Sequence, residues 1–208
     1  MIVSKSIRCN DFPCTDVDKN GYIIPDIEID PRKIRVVMIA VAPPTKKADY
    51  FYAQGKPFYL QTTLQAFSDA GFIVSSMRDI IDLGVYITTA VKCSKTQYAI
   101  SLASIKNCAH LLEKETSLFP NLKAYVLGGD VAIKSMNYIW QKQTGKKVVP
   151  SGSTYKIRSQ KFDFKGIRIF PSYTPAGKNF LIEKSKRRMV AEDIKESLRV
   201  SGRISNIK

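Results

Sequence analysis

The chain has 208 residues, 44% of them hydrophobic and 25% charged, with a formal net charge of +15. That length carries one domain with a substantial core, and the ordinary composition excludes a collagenous, disordered or membrane-embedded chain. The N-terminus "MIVSKSIRCNDFPC" has no apolar segment of signal-peptide length, so the expectation is a cytoplasmic monomer without a membrane partner.

Residues 1–30 carry Cys9 and Cys14, a "DKNG" turn signal and the extended, proline-punctuated "YIIPDIEIDP". "IRVVMIAVAPP", 34–44, reads as a fully buried strand: apolar, β-branched and ended by two prolines. An aromatic loop follows, "TKKADYFYAQGKPF". Its Tyr50, Phe51, Tyr52 and Phe58, with the adjoining Tyr59, are either half-buried core or a stacking platform for an unpaired base. Residues 59–71 predict a helix with Leu60, Leu64 and Phe67 on one face and Gly71 as its stop.

"GVYITTAVKC", 84–93, is a second buried strand, and 98–116 a helix whose loose 3.6 period includes Cys108 and Glu115. "KAYVLGGD", 123–130, is a third strand, leading into a helix with Ile133, Met136 and Trp140 on one face. Residues 146–166 alternate short β-like runs with Gly and Ser turns, as in a hairpin excursion. "GIRIFPSY", 166–173, is a fourth strand, and 181–200 a long terminal helix with Ile182, Met189, Ile194 and Leu198 inward.

Strands alternating with helices imply an α/β domain spanning 1–208: a three-layer αβα sandwich around a central, mainly parallel four-stranded sheet. Ligands on such sheets bind beyond the carboxyl ends of the strands. The four cysteines fall in two local pairs, Cys9 with Cys14 (C-x4-C) and Cys93 with Cys108 (C-x14-C). Two such pairs suit a zinc ion or an iron–sulfur cluster, with four unrelated thiols as the alternative. The lone His110 reads as a surface or packing residue. Basic residues gather in two places: Lys178, Lys184, Lys186, Arg187 and Arg188 after the fourth strand, and a second group over 142–165 that includes Lys142, Lys147 and Arg158. They suit a polyanion such as nucleic acid, against the plainer reading of a solvated basic face.

The four strand ends read "AVAPP" (40–44) with "GKPF" (55–58), "YITTAVKC" (86–93), "LGGDVA" (127–132) and "PSYTPA" (171–176). In order and spacing they resemble the motifs of the uracil-DNA glycosylase superfamily, most closely its iron–sulfur-containing family 4, over most of the chain. The resemblance implies a DNA repair protein that hydrolyses the N-glycosidic bond of uracil or another deaminated or damaged base in duplex or single-stranded DNA. It implies a 4Fe-4S cluster on Cys9, Cys14, Cys93 and Cys108, although C-x4-C is longer than the family's first spacing. Phe58 matches the aromatic that stacks on the base. Three polar positions depart from the pattern. Val41 stands where the family has an acidic residue, Thr89 where it has the base-reading Asn, and Thr174 where it has a catalytic His. Asp49 is a candidate replacement carboxylate, against a solvated loop residue. Lys178, Lys184, Arg187 and Arg188 are candidate DNA contacts. The substitutions leave a second expectation open: a lapsed member that binds nucleic acid without cleavage. A third is a pocket for a free base or nucleotide.

Overall fold

The computed structural model describes residues 1–204, apart from the side chains of residues 178 and 179. In chain order the elements are strand Val17–Asp18 (β1), strand Val36–Ala40 (β2), helices Phe58–Asp69 (α1) and Met77–Asp82 (α2), and strands Val85–Thr89 (β3) and Ser94–Lys95 (β4). Helix Leu102–Thr116 (α3), strand Ala124–Gly128 (β5), helix Asp130–Thr144 (α4) and the single turn Thr154–Ile157 (α5) come next. Strands Phe162–Phe164 (β6) and Ile167–Ser172 (β7) and helices Lys178–Ile182 (α6) and Lys184–Val200 (α7) complete the chain.

The main sheet has the order β3-β2-β5-β7-β6. Its first four strands are parallel and are the four expected from sequence. The strand count is nonetheless five. The 146–166 excursion contributes β6, which pairs antiparallel with β7. The reason is local: Lys165 and Gly166 both take positive φ, 51° and 78°, so a two-residue turn folds β6 back onto β7. Strands β2, β3 and β5 are buried along their whole length, as continuous apolar runs between helical layers should be. Helices α1 and α7 pack together on one face, and α3 and α4 on the other. A separate two-stranded ladder joins β1 to β4 and fastens the N-terminal segment beyond the end of β3.

Helix boundaries follow their capping chemistry. Ser76 and Asp79 form a reciprocal capping box at α2. Ser101 caps α3, and Asp16 adds bonds from Ser101 N and Ser104 Oγ, tying the N-terminal segment to that helix. Two inward assignments change. The buried face of α1 is Thr62, Thr63, Ala66 and Phe67, with Leu60 and Leu64 half-buried. Both threonine hydroxyls bond back to carbonyls one turn earlier, so they need no water. The terminal helix is broken at Glu183 (φ −91°, ψ 82°), which rotates Ile182 out to 75% exposure; Met189 is only half-buried, while Ile194 and Leu198 stay in the core.

Candidate active site and cysteine pocket

The carboxyl ends of the parallel strands bring the motif residues to one end of the sheet. The β2–β3 ladder runs on past the strands, with Ala90 N donating to Ala40 O at 2.8 Å and Val91 N to Val41 O at 3.1 Å. At the end of β5 the backbone is too crowded for a side chain. A Cβ on Gly128 would sit 2.8 Å from Thr174 Oγ1 and 3.0 Å from Ile39 O. Gly129 then turns the chain into α4 with φ 97°. A Cβ there would meet Val41 Cγ2 at 3.7 Å and Thr174 Oγ1 at 4.0 Å, so Val41 and Thr174 flank the same glycine. Thr174 Oγ1 donates to Gly128 O at 2.6 Å. A hydroxyl has one proton, so in this arrangement Thr174 clasps the loop to β5 and offers outward only lone pairs.

Thr89 lies deeper. It is fully buried, and so is Tyr50, which sits beside it. Neither Tyr50 Oη nor Thr89 Oγ1 forms a hydrogen bond of normal geometry. Burial, with Tyr52 and Glu115 nearby, pushes the Tyr50 phenol well up. Phe51 is buried as well, its ring 5.3 Å from that of Tyr59. Of the two readings of the aromatic loop, Tyr50 and Phe51 are therefore core. Tyr52 has another job: its hydroxyl accepts from Ile87 N at 3.1 Å and donates to Ile87 O at 2.7 Å. Strand β3 is a sheet edge, and this residue's outward peptide groups would otherwise lack partners. Phe58 and Tyr59 open α1 half-buried. Thr63 Oγ1 reaches Pro175 O at 3.3 Å, which joins α1 to the Thr174 loop. Asp49 ends a short 3-10 turn, partly exposed. Burial, and secondly the charge of Asp49, push the Tyr59 phenol up.

Behind the site lies a buried ion pair. Lys92 Nζ donates to Glu115 Oε2 at 2.5 Å, to Thr89 O at 2.6 Å and to Thr88 Oγ1 at 2.8 Å. Glu115 Oε1 accepts from Tyr86 Oη at 2.7 Å and Thr88 Oγ1 at 2.8 Å. All three ammonium protons and both carboxylate oxygens are engaged, which is the condition for burying such a pair. On the opposite face, Ser172 Oγ donates to Asp193 Oδ2 at 2.6 Å, and Arg158 donates to Asp193 Oδ1 at 2.8 Å, Met189 O at 3.0 Å and Glu192 at 3.1 Å. Burial raises the Asp193 carboxyl despite these partners. The sequence signals for these networks were faint: a lysine inside an apolar strand and Glu115 on a helix's inward stripe. For Arg158 and Asp193, 35 residues apart, there was none.

All four cysteines line one largely apolar pocket, with Phe12, Tyr22, Val91 and Leu111 among its walls. They are free thiols. Cys9 N donates to Tyr22 Oη at 2.9 Å, and Lys92 N to Cys108 Sγ at 3.2 Å. Burial pushes the Cys93 thiol up to about 12, reinforced by Cys108, Cys14 and Cys9. Burial also pushes Cys108 up, to about 11, opposed by the Lys92 charge. Among the described residues, no three His, Cys, Asp or Glu side chains gather tightly enough for a single metal ion. The cavity in this pocket is small, about 20 Å3, roughly the room of one water. Four cysteine sulfurs lining one pocket are a donor set that suits either an iron–sulfur cluster or a zinc ion.

The basic candidates divide. Lys184 and Arg188 line a shallow groove between α7 and the end of α1. Arg187 lies there too, but its guanidinium grips Asp69 at 2.8 and 2.9 Å. The side chain of Lys178 lies outside the described residues. Arg158 faces inward, as above, and His110 is exposed.

An α/β sandwich with polar loops gathered at the carboxyl ends of four parallel strands defines a ligand-binding or catalytic domain of the open-sheet class. The family described as "Uracil DNA glycosylase superfamily" matches residues 27–196, and the chain belongs to it. Over 119 residues the chain is 24% identical to the type-5 uracil-DNA glycosylase of Thermus thermophilus, covering 57% of this chain. The match spans about half of that relative's length, 52%. No helix among the described residues is long and apolar enough to cross a membrane.

Proposed function

We propose that this protein is a uracil-DNA-glycosylase-like repair protein that hydrolyses the N-glycosidic bond of uracil or another deaminated or damaged base in DNA. The observation that carries this reading is the meeting of Val41, Gly129 and Thr174 at one point beyond the strand ends, in a chain whose residues 27–196 match the superfamily. Cleavage needs an extruded base held in a pocket, a positioned water and stabilisation of negative charge on the departing base. Phe58 is the stacking surface, and Asp49 the carboxylate for the water. Thr174 already donates to Gly128, so the developing charge falls to the first-turn amides of α4, which no helical carbonyl can reach and which carry the positive end of the helix dipole.

Cys9, Cys14, Cys93 and Cys108 would hold a 4Fe-4S cluster, and placement nearest family 4 rests on them. Bound there, it supplies a structural cross-link between the N-terminal segment, the end of β3 and α3. The cysteines orient that segment, and the Lys92 amide fixes Cys108.

A second reading, binding without cleavage, is favoured by the full burial of Thr89 behind Tyr50. One experiment separates the two. Purified protein is incubated with duplex and single-stranded DNA carrying uracil, hypoxanthine, xanthine or ethenocytosine, and abasic product is measured. Product with one of them, reduced by Asp49→Ala, is the expected result. No product with any, alongside salt-sensitive binding, would establish the second reading instead.

A further inference from the structure

A groove runs along the α3–α4 face, with a volume of about 350 Å3. Leu102 and Lys106 of α3, Ile133 and Tyr138 of α4, and Lys147 and Pro150 of the following strap are among its walls. The strap is held in place rather than loose. Asn137, buried on α4, donates from Nδ2 to Val149 O at 2.8 Å and accepts at Oδ1 from Val149 N at 3.0 Å and Val148 N at 3.1 Å. Tyr138 is half-buried beside two cations, with Lys142 Nζ 4.8 Å and Lys106 Nζ 5.6 Å from its ring centre. One acidic side chain, Asp130, lines the groove and is paired with Lys134 at 2.6 Å. Lys106, Lys142 and Lys147 have no acidic partner among the described residues.

We infer that this groove binds a single strand of DNA, with phosphates at Lys106, Lys142 and Lys147 and a base against Tyr138. Charge selects a polyanion. The aromatic and apolar walls select one whose bases are unpaired, because a duplex turns its base faces inward whereas a free strand can stack them. The groove begins beside the strand-end site, where Asp130 lines it. Helix α4 starts one residue after Gly129, the glycine that Val41 and Thr174 flank. From Asp130 to Gln141 the helix runs about 16 Å at 1.5 Å per residue. At 3.4 Å or more per nucleotide, that is room for roughly three to five. The strand-end site would then be entered by a strand already held alongside it. The inference rests on DNA being the partner but not on cleavage.

The test is fluorescence anisotropy with a labelled, undamaged thymidine 12-mer over a salt series. In wild-type protein log affinity should fall linearly with log salt. Each lysine that neutralises a phosphate on a single strand contributes about 0.7 to that slope. The triple variant Lys106→Ala, Lys142→Ala, Lys147→Ala should therefore lose about 2 from the slope, whereas Lys5→Ala, Lys33→Ala, Lys123→Ala, which removes equal charge elsewhere, should leave it unchanged. Tyr138→Ala should weaken binding at least about fivefold through lost stacking. Equal slopes in the two triple variants would overturn the inference, as would no binding by the wild type. Displacement of the strand by oligoglutamate at equal affinity would overturn it in favour of an acidic protein partner. Strand binding that passes these tests without any abasic product would leave the groove standing and count against the glycosylase reading alone.

Discussion

Replacing Lys92 by Met removes a buried ammonium and leaves the Glu115 carboxylate enclosed with two hydroxyl donors and no counter-charge. Lys92 is 1% exposed and Glu115 0%, so no water can take over. Removing one partner of a pair buried this deeply costs about 3–5 kcal/mol. For a domain of this size each kcal/mol moves Tm by roughly 2–4 °C, so the melt should fall by about 6–20 °C. Against a typical total stability of about 5–15 kcal/mol that is a large fraction. Urea denaturation of wild type, Lys92→Met and the double variant Lys92→Met, Glu115→Gln is the assay. The glutamine keeps an oxygen for Tyr86 and Thr88 while abolishing the charge, so the double variant should recover at least half of the loss. A single variant less than about 1 kcal/mol below wild type, or a double variant no more stable than the single, would refute the claim that uncompensated charge dominates here.

Gly128→Ala drives a methyl group to 2.8 Å from Thr174 Oγ1 and 3.0 Å from Ile39 O, one of them backbone, so a loss of about 1–3 kcal/mol and a displaced Thr174 loop are expected in denaturation and near-UV spectra. Asp79 is held below the usual carboxylate range by hydrogen bonds from Ser75 and then Ser76. Its folded value lies below its unfolded one, so its contribution is present above pH about 4 and lost as pH falls through the folded value. Asp79→Ala should be less stable than wild type at neutral pH, with the gap in urea midpoints closing in strong acid; a gap that persists there would count against the charge. The proposed cluster predicts that protein purified without air is brown and holds iron and that Cys93→Ser and Cys108→Ser each abolish both, whereas iron content equal to wild type in either would exclude a four-cysteine cluster. Thr174→Val removes the clasp to Gly128 and should lower stability by about 0.5–1.5 kcal/mol, read by thermal melting.

Much of the architecture was legible because parallel strands buried on both faces must be apolar throughout, and such runs stand out when prolines and glycines end them. Strands β2, β3 and β5 follow from that pattern, β7 from its apolar centre between Gly166 and the polar loop after it, and the crossover rule orders the layers. The antiparallel β6 was less distinct. It is short, its residues are partly exposed, and its pairing depends on a turn at Lys165 and Gly166 rather than on hydrophobicity. The break at Glu183 was hidden because the residues on both sides of it suit a helix, so periodicity carried one helix through from 181 to 200.

By itself the sequence determined the four parallel strands, the motif positions at their carboxyl ends and the identity of the residues standing there, Val41, Thr89 and Thr174. Those are local facts, set by which residues end each strand. Tertiary structure decided what each residue is free to do. It committed the Thr174 proton to Gly128 and sealed Thr89 behind Tyr50. It made Tyr52 a cover for a sheet edge, bound Arg187 to Asp69, and gathered two distant cysteine pairs around one pocket. The difference is physical. Strand and helix formation depend on residues a few positions apart, whereas a side chain's hydrogen-bond partner and its access to water depend on segments that meet only after the chain has folded.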